Sequence, residues 1–253
     1  MLSTISQIFY LMTFPLVSMY LYEGYEVQNS GNWVASLLPS FNSITPLIIL
    51  WAISIFGSIG SFLRKYFRIL YSLLLFLIIA LTNGADFDHD LFAWFYISIL
   101  FIFEGRDEKS DKAILDFSKL TIVLIYFMSG FWKLFYSFKA FFNESLGYFH
   151  FEGLREIIKE SHHLTNHSWP IIDVIPSVIL FLIGLGIVIL ELSGLFLYFK
   201  KRSYLYLWAS SIIIFHLLTV LTMRVEFVSN IILIGIIFLL GKSTKLQSSP
   251  YHR

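Results

Sequence analysis

Cysteine is absent from this chain of 253 residues, which excludes disulfides, thiolate nucleophiles, iron–sulfur clusters and covalently attached haem. Charge is scarce as well: 14% of residues are charged, where soluble domains carry roughly 25%. The opening stretch "MLSTISQIFYLMTF" lacks the basic segment and small-residue cleavage site of a secretory signal, so the first apolar block is expected to remain as a helix. No HExxH, EF-hand or GxxxxGK pattern occurs. The net charge of +1 points to no partner of one sign, and nucleic acid is not expected as one.

Apolar side chains fill the space that charge leaves. The chain is 57% hydrophobic, with a mean hydropathy of +0.74. Apolar blocks lie near residues 4–22, 46–63, 69–82, 91–103, 118–138, 174–199, 204–223 and 227–240. Backbone groups in lipid must be satisfied within a segment, and the blocks lack the two-residue alternation of a barrel. The expected fold is therefore all-α: a polytopic integral membrane helical bundle of about eight transmembrane helices, with the lipid bilayer as its first partner. One domain is expected over residues 1–240, followed by a short cytoplasmic tail at 241–253.

Basic residues are distributed unevenly across such a topology. Arg64, Lys65, Arg68, Arg106, Lys109, Lys112, Lys119, Lys200, Lys201, Arg202, Lys242, Lys245 and Arg253 fall on one side, and only Lys139, Arg155, Lys159 and Arg224 on the other. The positive-inside rule then puts both termini in the cytoplasm of a multi-pass cell-membrane protein. The outer side receives "ADFDHD" at 85–90 and the stretch 139–173. In the latter, Phe151, Leu154, Ile157 and Ile158 recur at helical spacing, opposite Glu152, Arg155, Glu156 and Lys159. That pattern predicts an amphipathic helix on the outer membrane surface. Five of the seven histidines (His89, His150, His162, His163 and His167) are also expected outside.

The eighteenth basic residue, Lys133, lies inside the block "IYFMSGFWKLFYSF" at 125–138. A charged group there is costly, so it is partnered, neutral, or reaching for water at the outer interface. Tyr126, Ser129, Gly130, Tyr136 and Ser137 share its helical face, while Leu124, Phe127, Phe131, Leu134 and Phe135 occupy the rest. The small polar stripe is expected to face the bundle interior, where a lysine can serve as a base. His216, with Thr219, and His89, Arg224 and Glu226 are placed at similar depth and are expected to share an outer-leaflet cavity with Lys133. Glu191 is expected elsewhere, as a helix-packing carboxylate near the cytoplasmic Lys200–Arg202 cluster. The pairs in "HHLTNH" (His163, His167) and the carboxylates of "DFDHD" offer loose metal-ligand spacings, but no metal site is expected.

The element "YFMSGFWKL" at 126–134 resembles the "YFxAGxxKL" element of the vitamin K-dependent gamma-carboxylase membrane domain, the horizontally transferred transmembrane domain family. "DFDHDLFAWFYISILFIF" is similar to that family's histidine-bearing helix start, and the segment from "ELSGLFLYF" to "VSNIILI" to its later EL…R…HL…M…F region. The resemblance implies an enzyme of the lyase and epoxidase kind, with reduced quinone as cofactor and oxygen and carbon dioxide as co-substrates. It makes Lys133 the base that deprotonates the hydroquinone and His89 a support for the quinone oxygens, with Tyr126, Ser129, Gly130 and His216 lining the cofactor. The tryptophan and "SG" that usually follow the lysine element are replaced here by "FYSFKAFFNESLGYF", and no soluble substrate domain follows residue 240. Related membrane domains include the partner that matures a bacterial sporulation-delaying toxin. The resemblance thus also implies an alternative, a non-catalytic partner for maturation, export or immunity of a secreted peptide bound on the outer side.

Overall fold

The computed structural model describes residues 2–27, 45–82, 89–105, 107–142, 147–164, 171–223 and 227–240. Among them there is no strand, and every apolar block of the sequence is helical. The helices are α1 (Leu2–Val27), α2 (Thr45–Leu63), α3 (Tyr66–Thr82), α4 (His89–Ile102), α5 (Glu108–Phe142), α6 (Gly153–Leu164), α7 (Ile171–Val174), α8 (Ser177–Tyr198), α9 (Arg202–Met223) and α10 (Val228–Ile234). A π-helical turn, Gly235–Leu240, continues α10.

Among the described residues, three helices are long and apolar enough to cross a membrane: Glu108–Phe142, Ser177–Tyr198 and Arg202–Thr222. This is a membrane protein, and its outward-facing side chains have lipid character. On α8 the exposed residues include Leu182, Ile183, Ile189 and Phe196. The 35 residues of α5 span roughly 50 Å at 1.5 Å per residue, well beyond a hydrocarbon core of about 30 Å. Its start is capped by Asp107, whose carboxylate accepts from Ser110 N at 2.7 Å and Ser110 Oγ at 2.9 Å. Glu108 and Asp111 in the first turn suit the positive end of the helix dipole.

The chain divides into two compact units, residues 1–121 with 236–253, and residues 122–235. In the first, Phe9 stacks on Trp94 with ring centroids 4.8 Å apart, and tyrosines bridge the helices. Tyr10 OH donates to Ser98 O at 2.8 Å and Tyr71 OH to Thr13 Oγ1 at 2.7 Å. Arg68, grouped by sequence with the basic residues of one side, lies within a helix. A two-residue turn puts it in the first turn of α3, where it is buried against Glu104 at 2.9 Å. Its guanidinium also donates to Ser61 O at 3.2 Å and Phe101 O at 3.0 Å. Those carbonyls are at helix C-terminal ends, where orphan acceptors and the negative dipole end favour a cation.

The second unit holds α8, α9 and the amphipathic helix α6. Leu154 and Ile158 are buried in α6, packed with Ile172, Leu180, Tyr148 and Ile175, whereas Phe151 is exposed. The expected amphipathic helix therefore exists, and half of its apolar face is spent on the start of α8 rather than on lipid. Arg155 fastens it. Its guanidinium donates to Ile172 O and Asp173 O at 3.0 Å, to Ile175 O at 2.7 Å and to Ser177 Oγ at 3.2 Å. It also pairs with Glu152 at 2.6 Å. Lys159 pairs with Asp173 at 2.9 Å, and His162 Nε2 donates to Thr222 O at 2.7 Å near the end of α9.

Candidate functional site

Within the second unit, α5 presents Tyr126, Ser129, Gly130, Lys133 and Ser137 along one face, as their helical spacing requires. Gly130 lies against α8. A Cβ on it would come within 2.9 Å of Glu191 Cβ and 3.2 Å of Leu192 N, so only glycine allows this approach. The helices meet antiparallel. Gly130 is level with Glu191, while Ser137 receives a hydrogen bond from Tyr148 N at 3.1 Å and Tyr148 O packs toward Gly184.

That register brings Lys133 to Glu191. The Lys133 amine forms an ion pair with Glu191 Oε1 and donates to Ser129 Oγ at 3.0 Å. Of the three sequence alternatives for this lysine, the structure has the partnered one. It also overturns the placement of Glu191 near the cytoplasmic cluster. Depth counted from the edges of apolar blocks put the two residues apart, but the helices pack with Gly130 beside Glu191, one turn from Lys133. Helical side chains lean toward their own N-terminus, so Lys133 leans back by that turn. The pair is asymmetric: the lysine side chain is 24% exposed and that of the glutamate 2%.

One turn from Gly130, the Tyr126 hydroxyl is hydrogen-bonded to His216 Nε2. The His216 ring lies 4.6 Å from that of Phe227, centroid to centroid. Its side chain is buried, and Nδ1 has no hydrogen-bond partner among the described residues. Trp208 packs edge-on to Tyr126 at 5.7 Å and donates Nε1–H to Leu190 O at 2.9 Å. Gly194 leaves room for that indole: a Cβ there would approach Trp208 to 2.7 Å. Trp208 thus props Tyr126 from behind.

Other expected members are distributed differently. Tyr136 is 58% exposed and tilted onto Trp132 at 5.7 Å, which removes it from the interior stripe. It lies at the edge of that face, where the larger ring turns outward. His89 opens α4 in the first unit, and its side chain lies outside the described residues, as do Arg224 and Glu226. The side chains of Asp86, Asp88, Asp90, His163 and His167 are also outside them; among the described residues no cluster of three metal-ligating groups occurs.

Two members were not expected from sequence. Glu191 is the only charged residue of α8, and a lone carboxylate in one span and a lone lysine in another each need a partner, which was the available signal. Tyr148, between α5 and α6, follows from no periodic pattern. Burial pushes its phenol up to about 12, with the Glu191 charge adding to the effect. No protein-family model, curated protein or solved structure matches this chain.

Proposed function

We propose that the chain is a multi-pass membrane protein of about eight spans with cytoplasmic termini, whose Lys133–Glu191 pair takes the proton of a lipid-borne hydroquinone. The observation that carries this reading is the asymmetric pair itself: an amine partly open, held by Ser129 and backed by a buried carboxylate. The residues fit a phenolic ligand. Lys133 and Ser129 supply polar atoms on one face of α5, and His216 Nδ1 has spare hydrogen-bonding capacity among the described residues. Lys133, Ser129, Tyr126 and His216 would hold it. By resemblance to the gamma-carboxylase membrane domain, reduced quinone with oxygen would supply the driving force, ending in quinone epoxide and, where carbon dioxide is added, in carboxylation. The chain's own part is to exclude water, orient a hydroxyl and hold its proton at the Lys133 amine.

The test is epoxide formation from reduced 2-methyl-1,4-naphthoquinone on admitting oxygen to purified protein in mild detergent. Wild type should form epoxide. Lys133→Arg should not, because a guanidinium stays protonated at any ordinary pH and cannot accept a proton. Arginine retaining activity would end the base role. The second reading is a non-catalytic partner for a secreted peptide. It is favoured by the completeness of the Lys133 pairing, since a lysine satisfied by Glu191 and Ser129 needs no ligand. Under it, Lys133→Met/Glu191→Leu should keep the biological phenotype.

A further inference from the structure

A lysine ion-paired to a carboxylate carries a proton already and cannot take another. Either the pair is only a clamp between α5 and α8, or its proton moves. The geometry favours movement. The carboxylate is the more deeply buried partner, Ser129 accepts a further hydrogen bond from the amine, and Gly130 brings the α8 backbone close enough to hold both groups in register. Removing two opposite charges from water costs several kcal/mol per ion, whereas a neutral amine beside a neutral carboxylic acid escapes most of that cost. A water-excluding ligand over the open lysine side therefore narrows the gap between the two forms.

We propose that Glu191 is the positioning residue of Lys133 and the group that takes over its proton, so that the pair works as one proton-holding unit. In the first step an Nζ–H bond of the ammonium breaks and an O–H bond forms on Glu191, leaving a neutral amine and a neutral acid. In the second, the hydroxyl O–H of the ligand breaks and its proton joins the amine lone pair. The chain is left with an ammonium and a carboxylic acid, and the balancing negative charge stays on the deprotonated hydroxyl oxygen. No electrons are exchanged. The proposal rests on the hydroquinone reading for the second step only, because the first belongs to the chain alone.

The experiment is infrared difference spectroscopy of the purified protein, following the C=O stretch of a protonated carboxylic acid. In Lys133→Met without ligand, a buried Glu191 that has lost the Lys133 ammonium should take up a proton and show that band, and Lys133→Met/Glu191→Gln should lack it. Lys133→Gln serves as the second variant should the methionine protein fail to assemble. A Glu191 that stays ionised in both variants overturns the proposal whatever the ligand. In wild type under anaerobic conditions, reduced 2-methyl-1,4-naphthoquinone should bring up the same band, and Glu191→Gln should abolish it while the protein still assembles. Epoxide formation in Glu191→Gln should fall roughly 10²–10⁴-fold, the range of a lost proton-transfer group. Binding of the hydroquinone without the band overturns the transfer. Failure of the hydroquinone to bind overturns the hydroquinone reading, and the ligand-free variants alone then decide whether Glu191 can hold the proton.

Discussion

Gly130 carries no functional group, yet it sets the distance on which the Lys133–Glu191 pair depends. A Cβ there meets Glu191 Cβ at 2.9 Å, Leu192 Cγ at 3.1 Å and the Leu192 backbone nitrogen at 3.2 Å. A side-chain tip can rotate away, but the helix backbone of α8 cannot without moving the helix. Gly130→Val should therefore separate α5 from α8 and cost about 1–3 kcal/mol, the range for overpacking a well-fitted contact. The stability loss is read from thermal unfolding in detergent. Epoxide formation should drop with it, even though Lys133 and Glu191 are unchanged. Wild-type activity at an unaltered melting temperature would show that the close approach is not needed.

At the scale of elements, α6 behaves as a part fastened onto α7 and the start of α8 through one guanidinium. Arg155→Met keeps the stem but leaves the carbonyls of Ile172, Asp173 and Ile175 without that donor. A loss of about 1.5–3 kcal/mol in local stability is expected, the range for hydrogen bonds to a charged group at a partly buried site. It should appear as faster hydrogen exchange in residues 147–175 with α9 unaffected. Unchanged exchange there would remove Arg155 from this role. The surrounding carboxylates give a pH dependence of known sign. The Ser177 hydroxyl, and after it Arg155, hold Glu152 below its ordinary value, and the Lys159 ammonium does the same for Asp173. Groups depressed on folding stabilise fully above the ordinary carboxylate range and cease to do so as pH falls through their folded values. Protease sensitivity of this segment should rise on acidification below that range, and Glu152→Gln/Asp173→Asn should blunt the dependence.

At the scale of the whole molecule, the thirteen-to-four asymmetry of basic residues predicts the orientation in the membrane. A reporter fused after Arg253 should report cytoplasm and one inserted near Asn166 should report the outside. Both signals reversed would invert the membrane orientation and put the Lys133 site in the inner leaflet.

The sequence by itself determined the solvent, the helical state of all eight apolar blocks, the amphipathic α6 and the stripe of Tyr126, Ser129, Gly130 and Lys133. Each follows from composition or from the 3.6-residue period, both of which are local. Tertiary structure alone decided what that stripe meets. Glu191 reaches Lys133 because two helices joined through α6 and α7 pack in one particular register. That register depends on a missing Cβ at Gly130, on Arg155 tying down the connection, and on where α5 and α8 end. Tyr148 and the Arg68–Glu104 pair were hidden for the same reason, since contacts across long sequence separations leave no period to read. Even Tyr136, one turn from Lys133, is exposed beside Trp132, because its place at the edge of the helix face lets the ring turn either way and the helical period alone does not choose.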